Sequence, residues 1–306
     1  MDEHGGSPAS NDPPTERTTG LSLEPCYRHP GVQTGVHCTR CNNPICTDCM
    51  HEAAVGYQCP DCVRKAVGSG PRRRARIVLG RPGRATTVLI AVNVAMFVVE
   101  VATGAAGGIW SGGSESQLVR LGAMQPILVA TQHEYWRLFT VMFLHASILH
   151  ILLNMYALYL FGYVIETTLG TWRFLSIYFV AGFLSSVASY LFSDPRVVGV
   201  GASGAIFGLL GAWVAYNLRR RDTAMGAANL RGALILIALN LFLGFTIPNI
   251  DNFAHLGGLV SGFACGLLVE GVGPRQSRQL VQIAGFVALI GLGVVLTIAR
   301  TNALIS

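Results

Sequence analysis

The sequence predicts an all-α polytopic membrane protein that begins with a small cysteine-rich domain. Hydrophobic residues make up 51% of its 306 residues and charged residues only 12%, whereas soluble proteins carry about 25% charged residues. After position 86 the apolar residues gather in runs long enough to cross a bilayer, which takes about 20 residues per helix. Seven of the eight cysteines lie between Cys26 and Cys62. These observations favour a membrane domain that follows a separate cysteine-rich segment.

The chain divides by composition into four zones. Residues 1–22 lack an apolar signal-peptide core and are rich in Pro, Gly, Ser and Thr, a composition typical of a disordered tail. Residues 23–68 hold the cysteine cluster, residues 69–85 form a basic linker, and residues 86–299 form the membrane domain. Within the membrane domain we predict seven spans, at residues 86–106, 147–167, 172–192, 202–218, 231–248, 253–271 and 281–299.

The distribution of arginines predicts the orientation of the chain. With a cytoplasmic N-terminus, the cytoplasmic segments after the linker hold Arg173, Arg219, Arg220, Arg221, Arg231, Arg275 and Arg278, and the opposite side holds Arg120, Arg137, Arg196 and Arg300. Cytoplasmic loops carry an excess of Lys and Arg. We therefore expect an integral protein of the bacterial plasma membrane whose N-terminus is cytoplasmic.

The linker itself is strongly basic. Six arginines lie within residues 71–84, and no aromatic residue interleaves with them. Arginine clusters beside a membrane span bind anionic lipid headgroups, whereas single-stranded nucleic acid is bound by basic grooves that also present aromatic rings. We therefore expect the lipid bilayer as the partner of this linker and no nucleic acid.

The cysteine cluster contains four pairs of potential metal ligands, and two residues separate the members of each pair. The pairs are Cys26 and His29, Cys38 and Cys41, Cys46 and Cys49, and Cys59 and Cys62. Eight ligands suffice for two tetrahedral Zn²⁺ sites, and a segment with so small a core needs metal binding in order to fold. The alternative is a disulfide framework, which is disfavoured because thiols stay reduced in the cytoplasm.

The stretch CYRHPGVQTGVHCTRCNNPICTDC resembles a B-box-type zinc finger. The resemblance implies a cross-braced arrangement in which one Zn²⁺ is held by Cys26, His29, Cys46 and Cys49, and the other by Cys38, Cys41, Cys59 and Cys62. Two further histidines, His37 and His51, could each replace a cysteine ligand. Fingers of this kind more often bind a protein than catalyse a reaction, so we expect a protein partner or a regulatory role.

Polar side chains inside membrane spans are costly and are therefore functional candidates. They are His145, His150, Asn154 and Glu166 in or beside the second span, Ser203 in the fourth and His255 in the sixth. The second, fourth and sixth spans all run from the outer to the inner side, which places these groups at a similar depth near the outer surface. A nucleophile, a base and oxyanion donors are what acyl-transfer chemistry requires.

Each of these residues also has a purely structural explanation. The serine of GVGASGAIFG could belong to a small-residue seam between two helices, and Asn154 could bind a neighbouring helix through its amide. The common depth of the polar groups on three separate helices favours a catalytic site. Ser203 also lies close to a helix N-terminus, where unpaired backbone N–H groups can donate hydrogen bonds.

Five motifs between Trp136 and Gly262 add to this interpretation. They are EYWR, HASILHILLNM, LYLFGYVIETTLG (which contains Gly162, Glu166 and Gly170), GASGAIFGLLGA and AHLGGLVSG. In this order they resemble the rhomboid family of intramembrane serine proteases. The resemblance implies a rhomboid-like six-helix core, to which the stretch after Arg278 adds a C-terminal seventh helix.

The same resemblance implies a Ser–His dyad and membrane-anchored protein substrates, with no cofactor for catalysis. Ser203 would be the nucleophile, and His255 would act first as general base and then as general acid. His150, Asn154 and the backbone N–H of Ser203 would stabilise the oxyanion. Asp251 lies four residues before His255 and suggests a triad, but the family does without one.

An aromatic residue and several glycines complete the expected site. Phe207 stands where many relatives have a tyrosine that packs on the catalytic histidine. We expect Gly201 and Gly204 to leave room for a substrate backbone. The glycines expected to bring helices together are Gly208, Gly211, Gly258 and Gly262.

Two other functions compete with a protease. One is a catalytically inactive rhomboid-like scaffold that binds membrane proteins, which is disfavoured because both the serine and the histidine are present. The other is a transporter regulated by the zinc finger. A transporter requires polar residues through both leaflets, whereas the polar residues here lie toward one side.

Overall fold

The computed structural model describes residues 22–53, 55–68, 83–109, 112–247, 250–271 and 275–306. The chain divides into two compact units, with the boundary after Val78. Nearly all of the predicted disordered tail and of the predicted basic linker lie outside the described residues. The first unit holds the cysteine cluster, and the second holds every long apolar helix of the described chain.

Two short antiparallel hairpins and one helix make up the first unit. They are β1 (Glu24–Pro25) paired with β2 (Gln33–Thr34), β3 (His51–Glu52) paired with β4 (Tyr57–Gln58), and α1 (Pro60–Gly68). The buried interior consists of six cysteine side chains and Ile45. Burial of so little apolar surface does not stabilise a domain of this size, which therefore needs another source of folding energy.

The second unit consists of helices. They are α2 (Arg84–Ala102), α3 (Glu115–Leu121), α4 (Pro126–Thr131), α5 (Arg137–Thr140), α6 (Ile148–Leu169), α7 (Thr171–Phe192), α8 (Ser203–Leu218), α9 (Ala224–Thr246), α10 (Asn252–Val269) and α11 (Arg275–Ile305). Among the described residues, six helices are long and apolar enough to cross a membrane: α2, α6, α7, α9, α10 and α11. The predicted all-α polytopic fold is confirmed.

The fourth predicted span, residues 202–218, agrees with α8, which at 16 residues is shorter than the other six. The helices differ from the predicted spans most clearly at two other places. The fifth begins at Ala224 rather than at residue 231, because Thr223 caps the helix by accepting a hydrogen bond from the N–H of Gly226 at 3.0 Å. The last extends beyond residues 281–299 in both directions, since polar residues that lower hydropathy continue the helix.

The segment between α2 and α6 is fastened by Arg137. This side chain is only 5% exposed. Its guanidinium donates hydrogen bonds to the carbonyl oxygens of Val119 at 2.6 Å and Ala123 at 2.9 Å, and to a carboxylate oxygen of Glu134 at 2.6 Å. A buried charge is tolerated when its donors are paired in this way. The arginine of the EYWR motif therefore holds α3 and the segment that follows it against α5.

Helix α8 lies at the centre of the unit and packs on α7 and α10 through glycines. A Cβ at Gly258 would overlap the carbonyl oxygen of Gly204, and a Cβ at Gly262 would overlap that of Gly208. The predicted glycine seam between the fourth and sixth spans is therefore present. The prediction that Gly204 leaves room for substrate is wrong, because a Cβ at this position would meet the side chain of Ser185 on α7.

Glu166 joins three helices rather than contributing to a catalytic group. Its carboxylate accepts hydrogen bonds from the N–H of Ala85 at 3.1 Å and from the N–H and hydroxyl of Thr86 at 2.9 and 2.7 Å, and a further one from the hydroxyl of Thr171 at 3.0 Å. A carboxylate is stabilised at a helix N-terminus by free N–H groups and the helix dipole. Glu166 on α6 thus caps α2 and contacts the start of α7.

Candidate active site and metal centres

Ser203 and His255 lie in hydrogen-bonding contact. Ser203 is the first residue of α8, and His255 lies in the first turn of α10. The distance from His255 Nε2 to Ser203 Oγ is 2.9 Å, although the two residues are 52 positions apart in the chain. This is the geometry of a nucleophile beside a general base. The close packing of α8 on α10 through glycine is what brings the two side chains together.

The turn before α8 depends on Gly201. Its φ is +127°, a backbone conformation that favours glycine, and its N–H donates to the carbonyl oxygen of Val141 at 3.0 Å. A Cβ at this position would lie 2.8 Å from Nε2 of His150 and 3.6 Å from Oγ of Ser203. The absent side chain therefore makes room for the His150 ring beside the serine.

One face of the His255 ring is covered by an aromatic side chain. The rings of His255 and Phe207 are stacked with their centroids 4.3 Å apart and their planes 11° apart. The phenylalanine therefore packs on the histidine as expected for an aromatic residue at this position. This contact restricts the orientation of the imidazole relative to Ser203.

Asp251 serves as a helix cap rather than as a partner of His255. One of its carboxylate oxygens accepts a hydrogen bond from the N–H of Ala254 at 2.9 Å, and the other accepts one from the hydroxyl of Ser189 on α7. Within the part of the chain that the structure describes, Nδ1 of His255 has no hydrogen-bond partner. The geometry is that of a Ser–His pair without a carboxylate.

The two predicted oxyanion residues lie one helical turn apart on α6. The backbone N–H of His150 donates to the hydroxyl of Ser147, which caps this helix, at 3.2 Å. The side-chain amide of Asn154 donates to the carbonyl oxygen of His150 at 2.9 Å. An amide NH₂ group has two hydrogens, so Asn154 retains a second donor.

Sequence reasoning noted His145 but missed Glu100, which the structure places beside it. Both side chains are completely buried, and a carboxylate oxygen of Glu100 accepts a hydrogen bond from the backbone N–H of His145 at 2.8 Å. The ring of His145 meets that of His150 edge-on, with centroids 5.1 Å apart. A glutamate within the otherwise apolar first span was a signal that could have identified this residue.

Two groups of four ligands in the first unit could each hold a metal ion. They are Cys26, His29, Cys46 and Cys49, and Cys38, Cys41, Cys59 and Cys62, and the ligand atoms within each group lie within 4.8 Å of one another. These are the two sets that the B-box resemblance implies. His37 and His51 belong to neither set.

The chemistry of these donors fits a metal ion. In the first set, Nδ1 of His29 lies 3.2 Å from the sulfur of Cys46 and 3.5 Å from that of Cys49. In the second, the backbone N–H of Cys59 donates to the sulfur of Cys38 at 3.2 Å, a contact that stabilises a thiolate. The cysteines of the described chain are all free thiols, so the disulfide alternative is not supported.

A side-chain contact joins the turn that carries Cys26 and His29 to α1. The hydroxyl of Tyr27 donates to a carboxylate oxygen of Asp61 at 2.9 Å, and Arg64 also pairs with this carboxylate. The Tyr27 hydrogen bond, followed by the Arg64 contact, lowers the pKa of Asp61. A lowered carboxyl pKa means that this contact is present above the ordinary pKa and is lost only on acidification.

Fold and site together define an integral membrane protein with a serine–histidine pair between two of its helices. The Rhomboid domain family matches residues 132–271. The chain belongs to the rhomboid family. The matched region covers the candidate active site and lies outside the first unit.

Relatives come from a plant and from a bacterium. RHOMBOID-like protein 1 of Arabidopsis thaliana is 42% identical over 158 residues, which are 51% of this chain and 40% of the relative. Rhomboid protease GluP of Bacillus subtilis is 40% identical over 183 residues, or 58% of this chain and 33% of GluP. YdcA, a further rhomboid relative from Bacillus subtilis, is 37% identical over 135 residues, or 44% of this chain and 67% of YdcA. The chain thus spans about half or less of the length of the first two.

Proposed function

We propose that this protein is an intramembrane serine endopeptidase that cleaves membrane-anchored protein substrates. The observation that carries the proposal is the 2.9 Å contact between His255 Nε2 and Ser203 Oγ. The name of one relative, Rhomboid protease GluP, supports the same class of activity. That the substrates are membrane-anchored proteins is part of the same proposal.

The proposed reaction begins with proton transfer within the pair. Nε2 of His255 takes the proton of the Ser203 hydroxyl while Oγ attacks the scissile carbonyl carbon, and the carbonyl electron pair moves onto its oxygen. As the tetrahedral intermediate collapses, the C–N bond breaks and His255 gives its proton to the leaving amine. Water, deprotonated by His255, then attacks the acyl-enzyme and releases Ser203 with its hydroxyl restored.

In the proposed reaction, three donors stabilise the oxyanion. They are the ring of His150, the free amide hydrogen of Asn154 and the backbone N–H of Ser203 at the start of α8, where first-turn N–H groups lack helical partners. Loss of one such donor typically slows an acyl-transfer enzyme by about 10²–10³-fold. Packing of Phe207 on His255 fixes the orientation of the His255 imidazole, a role that a carboxylate has in a catalytic triad.

The test uses the full chain in liposomes together with a transmembrane peptide substrate. Ser203→Ala and His255→Ala should each abolish cleavage and labelling by a serine-reactive fluorophosphonate. Ser186→Ala is a matched control, because Ser186 is a buried serine on α7 whose hydroxyl bonds only to its own helix. Cleavage by Ser203→Ala at the rate of the control would refute the proposal. Substrate binding without cleavage by the wild type would support the inactive scaffold instead.

We further infer that the first unit is a cytoplasmic Zn²⁺ module that binds a partner protein or regulates the protease. Sulfur and imidazole ligands in two sets of four favour Zn²⁺, and its role would be structural because all four positions are taken by protein. The boundaries proposed are 23–68 for this module and 86–299 for the membrane domain. The arginine bias supports a cytoplasmic N-terminus and an active site toward the outer side.

A further inference from the structure

Three buried polar atoms on Glu100 and on His145, whose ring meets that of His150, lack a partner among the described residues. They are Oε2 of Glu100 and both ring nitrogens of His145. Both side chains are 0% exposed. An unpaired buried polar atom costs about 1–3 kcal/mol, and buried water molecules commonly satisfy such atoms with about three hydrogen bonds each. This cluster therefore needs a further partner that is small and polar.

A chain of contacts leads from this cluster to the candidate active site. Oε1 of Glu100 accepts the backbone N–H of His145 at 2.8 Å, which joins the carboxylate to the residue whose ring nitrogens have no partner among the described residues. That imidazole meets the ring of His150 edge-on, with centroids 5.1 Å apart and planes at 67°. His150 in turn lies against Gly201, in the turn that leads to Ser203.

The termination of helix α2 does not require a carboxylate at position 100. The backbone carbonyl oxygen of Glu100 accepts hydrogen bonds from the N–H groups of Ala105 at 2.8 Å and Ala106 at 3.0 Å, which close the end of the helix. Any residue type can provide that carbonyl. The carboxylate is therefore available for the role that its contact with His145 suggests.

We propose that Glu100 and His145 bind a buried water molecule that holds His150 in place for the oxyanion. A water molecule can donate to Oε2 of Glu100 and bond to one ring nitrogen of His145, since a neutral imidazole offers one donor and one acceptor. The hydrogen-bonded imidazole of His145 then restricts the movement of the His150 ring through the edge-on contact between the two rings. Glu100 is a positioning residue in this arrangement, which rests on the proposed protease function.

Substitutions on α2 test this role. Glu100→Leu removes the acceptor and the water site, whereas Glu100→Gln keeps an acceptor for the N–H of His145. Asn93→Leu is the matched control: Asn93 is also 0% exposed on α2, its Oδ1 is also unpartnered, and its amide donates to Leu89 of the same helix. The assay measures kcat and KM for a transmembrane substrate in liposomes, together with the thermal unfolding temperature.

Glu100→Leu should lower kcat about tenfold and leave KM unchanged. This loss is smaller than the ~10²–10³-fold loss of kcat expected when an oxyanion donor itself is removed. Glu100→Gln should recover much of that loss. Asn93→Leu should leave kcat unchanged and, because it removes an unpaired buried oxygen, should not lower the unfolding temperature. If Glu100→Leu does not fold, Glu100→Met takes its place, because Met also lacks the acceptor oxygens and is closer to Glu in length. Equal kcat values for both Glu100 variants and the Asn93 control would overturn the proposal.

Two observations separate this inference from the proposed function. A wild-type protein that neither cleaves nor reacts with the serine probe would refute the protease, whereas cleavage that is insensitive to Glu100 would refute only the positioning role. A crystal structure that resolves ordered water should show one between Glu100 and the His145 ring. A direct hydrogen bond between ring and carboxylate with no water would overturn the water site.

Discussion

Gly201→Ala should strongly reduce the proposed protease activity for a reason that can be separated from backbone strain. The φ of +127° at Gly201 is rarely adopted by other residues, and such strain costs about 1–3 kcal/mol. The new Cβ would also lie 2.8 Å from Nε2 of His150, so the ring must move by several tenths of an ångström. Displacement of one oxyanion donor corresponds to ~3–4 kcal/mol of transition-state stabilisation, or about 10²–10³-fold in kcat.

Gly170→Ala provides the control for Gly201→Ala. Gly170 has a φ of +87° and no atom within 4 Å of the position that a Cβ would take. Both alanine variants should therefore lose about 1–3 kcal/mol of stability, and only Gly201→Ala should lose cleavage. Cleavage kinetics in liposomes and thermal unfolding of both variants make the comparison. Equal kcat values for the two variants would refute the placement of His150 at the oxyanion.

The remaining predictions concern the helix cap, the metal sites and the glycine seam. Asp251→Asn should keep kcat within about threefold, because Asn also caps helices well; a loss of about 10⁴-fold, as in a true triad, would contradict the dyad. The purified full chain should contain two zinc ions by elemental analysis, and Cys46→Ser should lower this to one; an unchanged metal content would contradict the assignment of Cys46. Gly262→Ala should lower the unfolding temperature because its Cβ overlaps the backbone of α8. The control Gly291→Ala, whose Cβ meets no atom within 4 Å, should not lower it. Equal unfolding temperatures for the two variants would contradict the glycine seam between α8 and α10.

Hydropathy was sufficient to predict the seven long helices of the second unit because each one carries apolar side chains along most of its length. Helix ends were less predictable. The start of α9 at Ala224 depends on a capping hydroxyl from Thr223. Asn229 and Arg231 lower the mean hydropathy of the first turns, so hydropathy alone places the start of this helix too late. Burial in lipid is a property of long segments, whereas a cap depends on single side chains.

The candidate site was partly predictable because its side chains are polar residues in apolar segments. Ser203, His255 and His150 stood out for that reason. The partners of a buried side chain were not predictable when they lie far away in the chain, as for Glu166 and Thr86, which are 80 residues apart. The contact of Gly204 with Ser185 was missed for the same reason, since a glycine in the sequence does not reveal which helix approaches it.

The shortness of α8 has a consequence for the depth at which the proposed protease would cut its substrate. At 1.5 Å per residue its 16 residues extend ~24 Å, whereas the hydrocarbon core is about 30 Å thick. In the proposed orientation, with Arg219 at the inner membrane surface, Ser203 would lie ~6 Å inside the opposite boundary. The proposed protease would then select a peptide bond by its distance from the membrane edge, and a thicker bilayer would shift the cut along the substrate.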